Sequence, residues 1–126
     1  MSDNPAFDYQ TITKQIADRL QERRCRGIRV KGMKNQYPET EPVAAVDGSG
    51  KSAFPDLTTT LPSYIISICN TGNLAEDEKM NSFRILSSYC LKTFRTFVIV
   101  GPRTEHEQLK KKLKELKIKP AYFIWV

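Results

Sequence analysis

An α/β fold, built on a mixed β-sheet flanked by helices, follows from three features of the 126-residue sequence. Stretches of helical period open the chain and recur in its second half. Short β-branched or aromatic runs lie between them. The later segments alternate strand, helix, strand, helix, strand, an order that makes right-handed parallel crossovers. One domain over 1–126 is expected, because 40% hydrophobic and 27% charged residues is ordinary for a chain that buries a core.

The first helix is expected over 7–24, where Ile12, Ile16 and Leu20 recur every fourth residue and Tyr9 extends the stripe backwards. Gly27 breaks it, and the apolar–charged alternation of 27–33 predicts a half-exposed first strand. Residues 34–53 hold Pro38, Pro42, Gly48 and Gly50 among polar residues and read as a long loop beside or over a site. Strands over 54–60 and 64–70 flank the turn Leu61-Pro62-Ser63 and are expected to pair as a hairpin. In the second, Ile66 and Ile68 face one side, and Ile65, Ser67 and Cys69 the other.

Asn73, with Glu76 three residues on, resembles a capping box and opens a helix near Leu74 that carries Met80, Phe83, Leu86 and Cys90. Residues 94–100 read as a buried strand stopped by Gly101-Pro102. Thr104 with Glu107 repeats the capping pattern ahead of a helix whose stripe is Leu109, Leu113 and Leu116, the surrounding lysines being its wet side. The last strand is 121–126, in which Trp125 closes the core or joins an interface; the alternation of its neighbours favours the core.

Several function classes are excluded. No apolar run approaches the roughly 20 residues of a membrane helix, and Met1 to Pro5 lack the basic and apolar regions of a secretory signal. A cytoplasmic protein without a membrane partner is expected. Cys25, Cys69 and Cys90 form no C-x-x-C pair and leave one thiol over in any disulfide scheme, as suits a reducing compartment. His106, the single histidine, falls in the first turn of a polar helix and is expected to be exposed, so no cysteine nucleophile has an evident base. Gly48-Ser49-Gly50-Lys51-Ser52 ends like a phosphate loop, but Ala45 stands where the first glycine belongs and a strand follows instead of a helix.

The net charge is +6, and Arg19, Arg23, Arg24, Arg26, Arg29, Lys31 and Lys34 crowd one segment against the single acid Glu22. Such a block is either an electrostatic footprint for phosphates or a solvated helix end and edge strand.

Pro55-Asp56 opens the second strand, and ten residues separate Asp56 from Ser67 of Ile66-Ser67-Ile68-Cys69. In these residues, and in element order over 9–102, the chain resembles the PD-(D/E)XK nucleases, which include restriction endonucleases and archaeal Holliday-junction resolvases. The resemblance implies a restriction-endonuclease-like α-β-β-β-α-β core, followed here by an extra α-β unit. It places Asp56 at the conserved aspartate of that motif, and Ser67 and Cys69 where the family has an acid and a lysine. Near the first-helix acid that many members carry, this chain has Gln10, Thr13 or Gln15.

In that family Mg2+ polarises the phosphate and lowers the pKa of a water, carboxylates hold the metal, and the lysine assists the nucleophile. Asp56, a serine hydroxyl and the Ile68 carbonyl make a poor octahedral cage, and a neutral Cys69 thiol lacks the lysine's charge. Glu76, Asp77 and Glu78, opening the next helix, are candidate relocated acids, or else favourable charge at a helix N-terminus. The resemblance therefore implies a catalytically degenerate or atypical nuclease, and the basic block adds the expectation that it binds DNA or RNA through Arg23, Arg24, Arg26, Arg29 and Lys31. No cofactor is expected unless the protein is active, in which case Mg2+ is implied, with Asp56 as metal ligand. The alternatives are an active metal-dependent nuclease with a relocated acid, and a protein-interaction or regulatory subunit whose basic face meets an acidic partner. A homodimer is a further implied state, being common among such nucleases.

Overall fold

The computed structural model describes residues 8–126, so Phe7 and the 1–5 segment lie outside the described residues. Helix α1 (Tyr9–Glu22) is capped by Asp8, whose carboxylate accepts from the Gln10 N–H. Its inner face is Ile12, Thr13, Ile16, Ala17 and Leu20. The elements that follow are β1 (Arg29–Val30), β2 (Val43–Ala44), β3 (Ser52–Ala53), β4 (Leu57–Thr58), β5 (Tyr64–Ile68), α2 (Thr71–Leu74), α3 (Asp77–Thr93), β6 (Thr96–Gly101), α4 (His106–Glu115) and β7 (Tyr122–Trp125).

Five strands form one mixed sheet in the order β1-β4-β5-β6-β7. The β1–β4 and β4–β5 pairs are antiparallel, and the β5–β6 and β6–β7 pairs are parallel. The period-2 pleat of β5 divides the core as its sequence implies. Ile66 and Ile68 pack with α1 on one face, while Ile65 and Cys69 join Phe83, Leu86, Leu109 and Leu113 under α3 and α4 on the other. Gly101 is required where β6 meets α4, because a Cβ there would lie 2.6 Å from Leu109 Cδ1, whose side chain is fully buried.

The structure corrects the element boundaries in four places. The segment 34–53, expected to be a loop throughout, contains a two-stranded antiparallel sheet, β2 with β3, whose Val43 and Ala53 are buried in the α3-side core. Two helices replace the single one expected from Leu74: Asn70 and Asn73 form the capping box of α2, and α3 starts three residues after it without a side-chain cap. Phe94 is not part of β6 but the left-handed cap of α3, 95% exposed. Thr104 does not cap α4; it lies in a 3-10 turn (Arg103–Glu105), and Glu105 there accepts from the backbone N–H and hydroxyl of Thr71 at 2.7 and 2.6 Å.

At the C-terminal edge, Trp125 stacks on Phe123 with centroids 4.9 Å apart and borders the α3-side core. His106 is half-covered instead of exposed, its ring standing edge-on to Trp125 at 4.4 Å. Among the described residues no helix is long and apolar enough to cross a membrane.

Candidate functional site

Pro55, which has no N–H to offer a ladder, sets Asp56 as the residue where β4 pairing begins. The Asp56 N–H donates to Ile66 O and its carbonyl accepts from Lys31 N–H, both at 2.9 Å, so its backbone ties β5 to β1. Its side chain continues the ladder: Oδ2 accepts from the Ile68 N–H at 2.7 Å. Asp56 is consequently buried, 2% exposed.

Helix α3 brings Lys79 to the same carboxylate, Nζ lying 3.9 Å from Oδ2 and 5.3 Å from the centre of the Phe83 ring. Burial pushes the Asp56 carboxyl above its ordinary range, and the Lys79 ammonium and the Ile68 N–H oppose that rise. Lys79 was not anticipated from sequence. Its signal was the i, i+4 spacing to Phe83, a residue already read as core, which turns Lys79 toward the sheet.

Beside this pair is a cleft of about 350 Å3, bordered by Lys31, Ser52, Ser67, Glu76, Glu78 and Lys79. Of the residues marked in the sequence, Asp56, Ser67, Lys31, Glu76 and Glu78 are therefore brought together. Asp77 does not line the cleft. Cys69 is fully buried in the α3-side core, and that burial raises its thiol to about 12, so it is a packing group. Thr13 is buried as well, its hydroxyl donating to Tyr9 O at 2.7 Å.

These donors do not fit Mg2+. The ion demands several hard oxygens in near-octahedral array, and among the described residues no group of three or more His, Cys, Asp or Glu side chains could hold a metal. The Asp56 oxygen that would serve is engaged by Ile68, and the Lys79 charge stands 3.9 Å from it, where it repels a cation.

The five cations expected to form one basic face are split by the sheet register. Lys31 borders the Asp56 cleft. Arg29 is half-buried and structural, donating to Glu39 O at 3.0 Å and pairing with Glu41 at 3.4 Å. Arg23 and Arg24 terminate α1, and the Arg26 N–H donates to Leu61 O at the far end of the sheet. Five residues of chain separate Asp56 from Leu61, roughly 15 Å at a strand rise of about 3.3 Å. The segments preceding β6 and β7 reach this far end too, through Thr96 N–H to Ser63 O and Ala121 N–H to Phe97 O. They add Lys92, Arg95, Lys117 and Lys119.

What the fold and its residues define is a mixed α/β domain with a polar cleft at one end of the sheet and a cationic surface at the other. Comparison with protein-family models, curated proteins and solved structures finds no match to this chain.

Proposed function

We propose that the chain is a nuclease-like protein of the PD-(D/E)XK type that binds nucleic acid and does not hydrolyse it. The observation that carries this reading is the place of Asp56: buried where β4 begins, beside Ser67 of β5, under an ammonium from the following helix. With the separate β2–β3 pair and the one-turn α2 set aside, the order α1-β1-β4-β5-α3-β6, followed by α4-β7, supports it. Lys79 supplies the positive charge that Cys69 cannot. The lack of fit to Mg2+ favours binding over cleavage, and Arg23, Arg24 and Arg26 at the far end offer contacts to phosphates.

Salt-dependent anisotropy with labelled single- and double-stranded DNA and RNA tests the reading, run with Mg2+, Mn2+ or EDTA. Binding that weakens steeply with salt, with no cleavage in any metal, is expected; Arg23→Glu/Arg26→Glu lowers both affinity and salt slope. Metal-dependent cleavage abolished by Asp56→Ala would show instead that Glu76 or Glu78 completes an active centre. No binding at physiological salt would remove nucleic acid as the partner and favour a protein.

A further inference from the structure

A second cleft, of about 330 Å3, lies at the end of the sheet away from Asp56, between the last turns of α3 and the segment leading into β7. Its border includes Arg95, Lys117 and Lys119, Ser87 and Ser88, and apolar residues among which Leu91 is exposed; no acidic residue lines it. The sequence explains that one-sided charge, since no acid occurs between Glu78 and Glu105 or after Glu115.

Cations often answer the partial negative charge of helix C-termini, and Lys92 and Lys114 in the last turns of α3 and α4 do so. Two features go beyond that role. Arg95 and Lys119 lie past the helical turns. The residues that follow α1, α3 and α4 in left-handed conformation are Arg24, Phe94 and Lys117, at φ 59°, 60° and 60°. Glycine is the usual occupant of such caps, because a side chain there is sterically strained. Phe94 is 95% exposed, Leu91 82% and Tyr122 61%. A phenyl ring held in water on a strained backbone, next to an arginine of the cleft, contributes nothing to the core.

We propose that this cleft binds single-stranded nucleic acid, with phosphates held by Arg95, Lys117 and Lys119 and an unpaired base stacked on Phe94, which precedes Arg95 in the chain and stands outside the cleft's lining. The inference rests on the nucleic-acid reading above and adds the strand type and the place. Every base has a π-face that an exposed aromatic ring can meet, whereas in a duplex those faces are already stacked. DNA and RNA share this phosphate and base chemistry.

The test measures binding of labelled oligothymidine, oligouridine and a DNA duplex, each about 12 nucleotides long, to wild type and to Phe94→Ala, Arg95→Gln and Lys117→Gly. Circular dichroism and thermal melting confirm folding. Lys117→Gly also relieves the strained φ, so any loss of binding by that variant is not a loss of fold. Phe94→Ala is expected to weaken single-strand binding about tenfold or more and leave duplex binding unchanged. Arg95→Gln and Lys117→Gly each reduce the single-strand salt slope by about 0.7. Losses confined to DNA or to RNA support the cleft and identify the sugar it accepts. Single-strand binding untouched by all three variants overturns the cleft. If Arg23→Glu/Arg26→Glu still weakens binding in that case, the nucleic-acid reading survives alone; if wild type binds no oligonucleotide, both fall together.

Discussion

Replacing Lys79 by methionine keeps the aliphatic stem and removes the ammonium, leaving a carboxylate 2% exposed with the Ile68 N–H as its remaining partner. Charges 3.9 Å apart attract by about 4 kcal/mol at an effective dielectric near 20. Hydration of the Lys79 side chain, 25% exposed, reduces the net loss to about 1–2 kcal/mol at neutral pH. With a urea slope of roughly 1–3 kcal/mol/M, the midpoint should fall by about 0.3–2 M without a change of slope. Asp56→Asn retains an oxygen for the Ile68 N–H but no charge, so in that background Lys79→Met should have little effect, a coupling of about 1–2 kcal/mol.

The pH arm has a defined sign. Burial raises the Asp56 carboxyl in the folded protein, so the folded state holds a proton that the unfolded state has released, and stability falls as pH rises through that window. Losing Lys79 removes an influence that lowers this pKa, and the fall extends to higher pH. The Lys79→Met penalty should be larger at neutral pH than below the unfolded-state pKa, where it vanishes. An equal penalty at both pH values, or the same penalty with and without Asp56→Asn, would refute the pairing.

Gly27→Ala should destabilise by about 1–3 kcal/mol, because Gly27 has φ +63° and a Cβ would meet Thr60 Cγ2 at 2.7 Å; an unchanged melting temperature would show that the α1–β1 turn adjusts freely. Cys69 and Cys90 are buried, and burial raises their thiols to about 12 and about 11, whereas Cys25 is half-exposed. A disulfide reagent at mildly alkaline pH should therefore titrate one thiol in the native protein and three in denaturant. A second fast equivalent would mean that the α3-side core opens readily.

Long elements were legible in the sequence because their signals repeat. The Ile12, Ile16, Leu20 stripe and the alternation of Ile65 to Cys69 each gave the correct buried face. The β2–β3 pair was not legible, since strands of Val43–Ala44 and Ser52–Ala53 hold one β-branched residue between them and pair across a Gly-rich turn. Capping patterns misled where two candidates competed. Asn73 serves α2 by bonding back to Asn70, and Glu105 bonds Thr71 across the fold, contacts that no local pattern encodes. At the cleft, Asp56 and Ser67 were singled out by the resemblance to the nuclease pattern, and the β4–β5 register puts them side by side. Lys79 follows three acids, Glu76, Asp77 and Glu78, at the start of α3, and only the tertiary packing of that helix brings its ammonium to Asp56.

Charge along the chain and charge in space differ because register separates neighbours. Arg26 and Lys31 are five residues apart in sequence, yet they stand at opposite ends of β1. Chain direction decides which end each charge joins. The C-termini of α1, α3 and α4 lead into β1, β6 and β7 at one end of the sheet, and cations collect there, answering helix dipoles and continuing beyond them as Arg95 and Lys119. Helix α3 begins at the other end with Asp77 and Glu78 in its first turn, after Glu76. A phosphate in the Asp56 cleft would meet Glu76 and Glu78 as well as Lys31 and Lys79, and the two glutamates repel it. The far cleft has no acidic lining residue to set such a barrier. The cationic surface at one end and the acids around the Asp56 cleft at the other thus follow from one arrangement of helices on the sheet, and the proposed binding without hydrolysis rests on that arrangement.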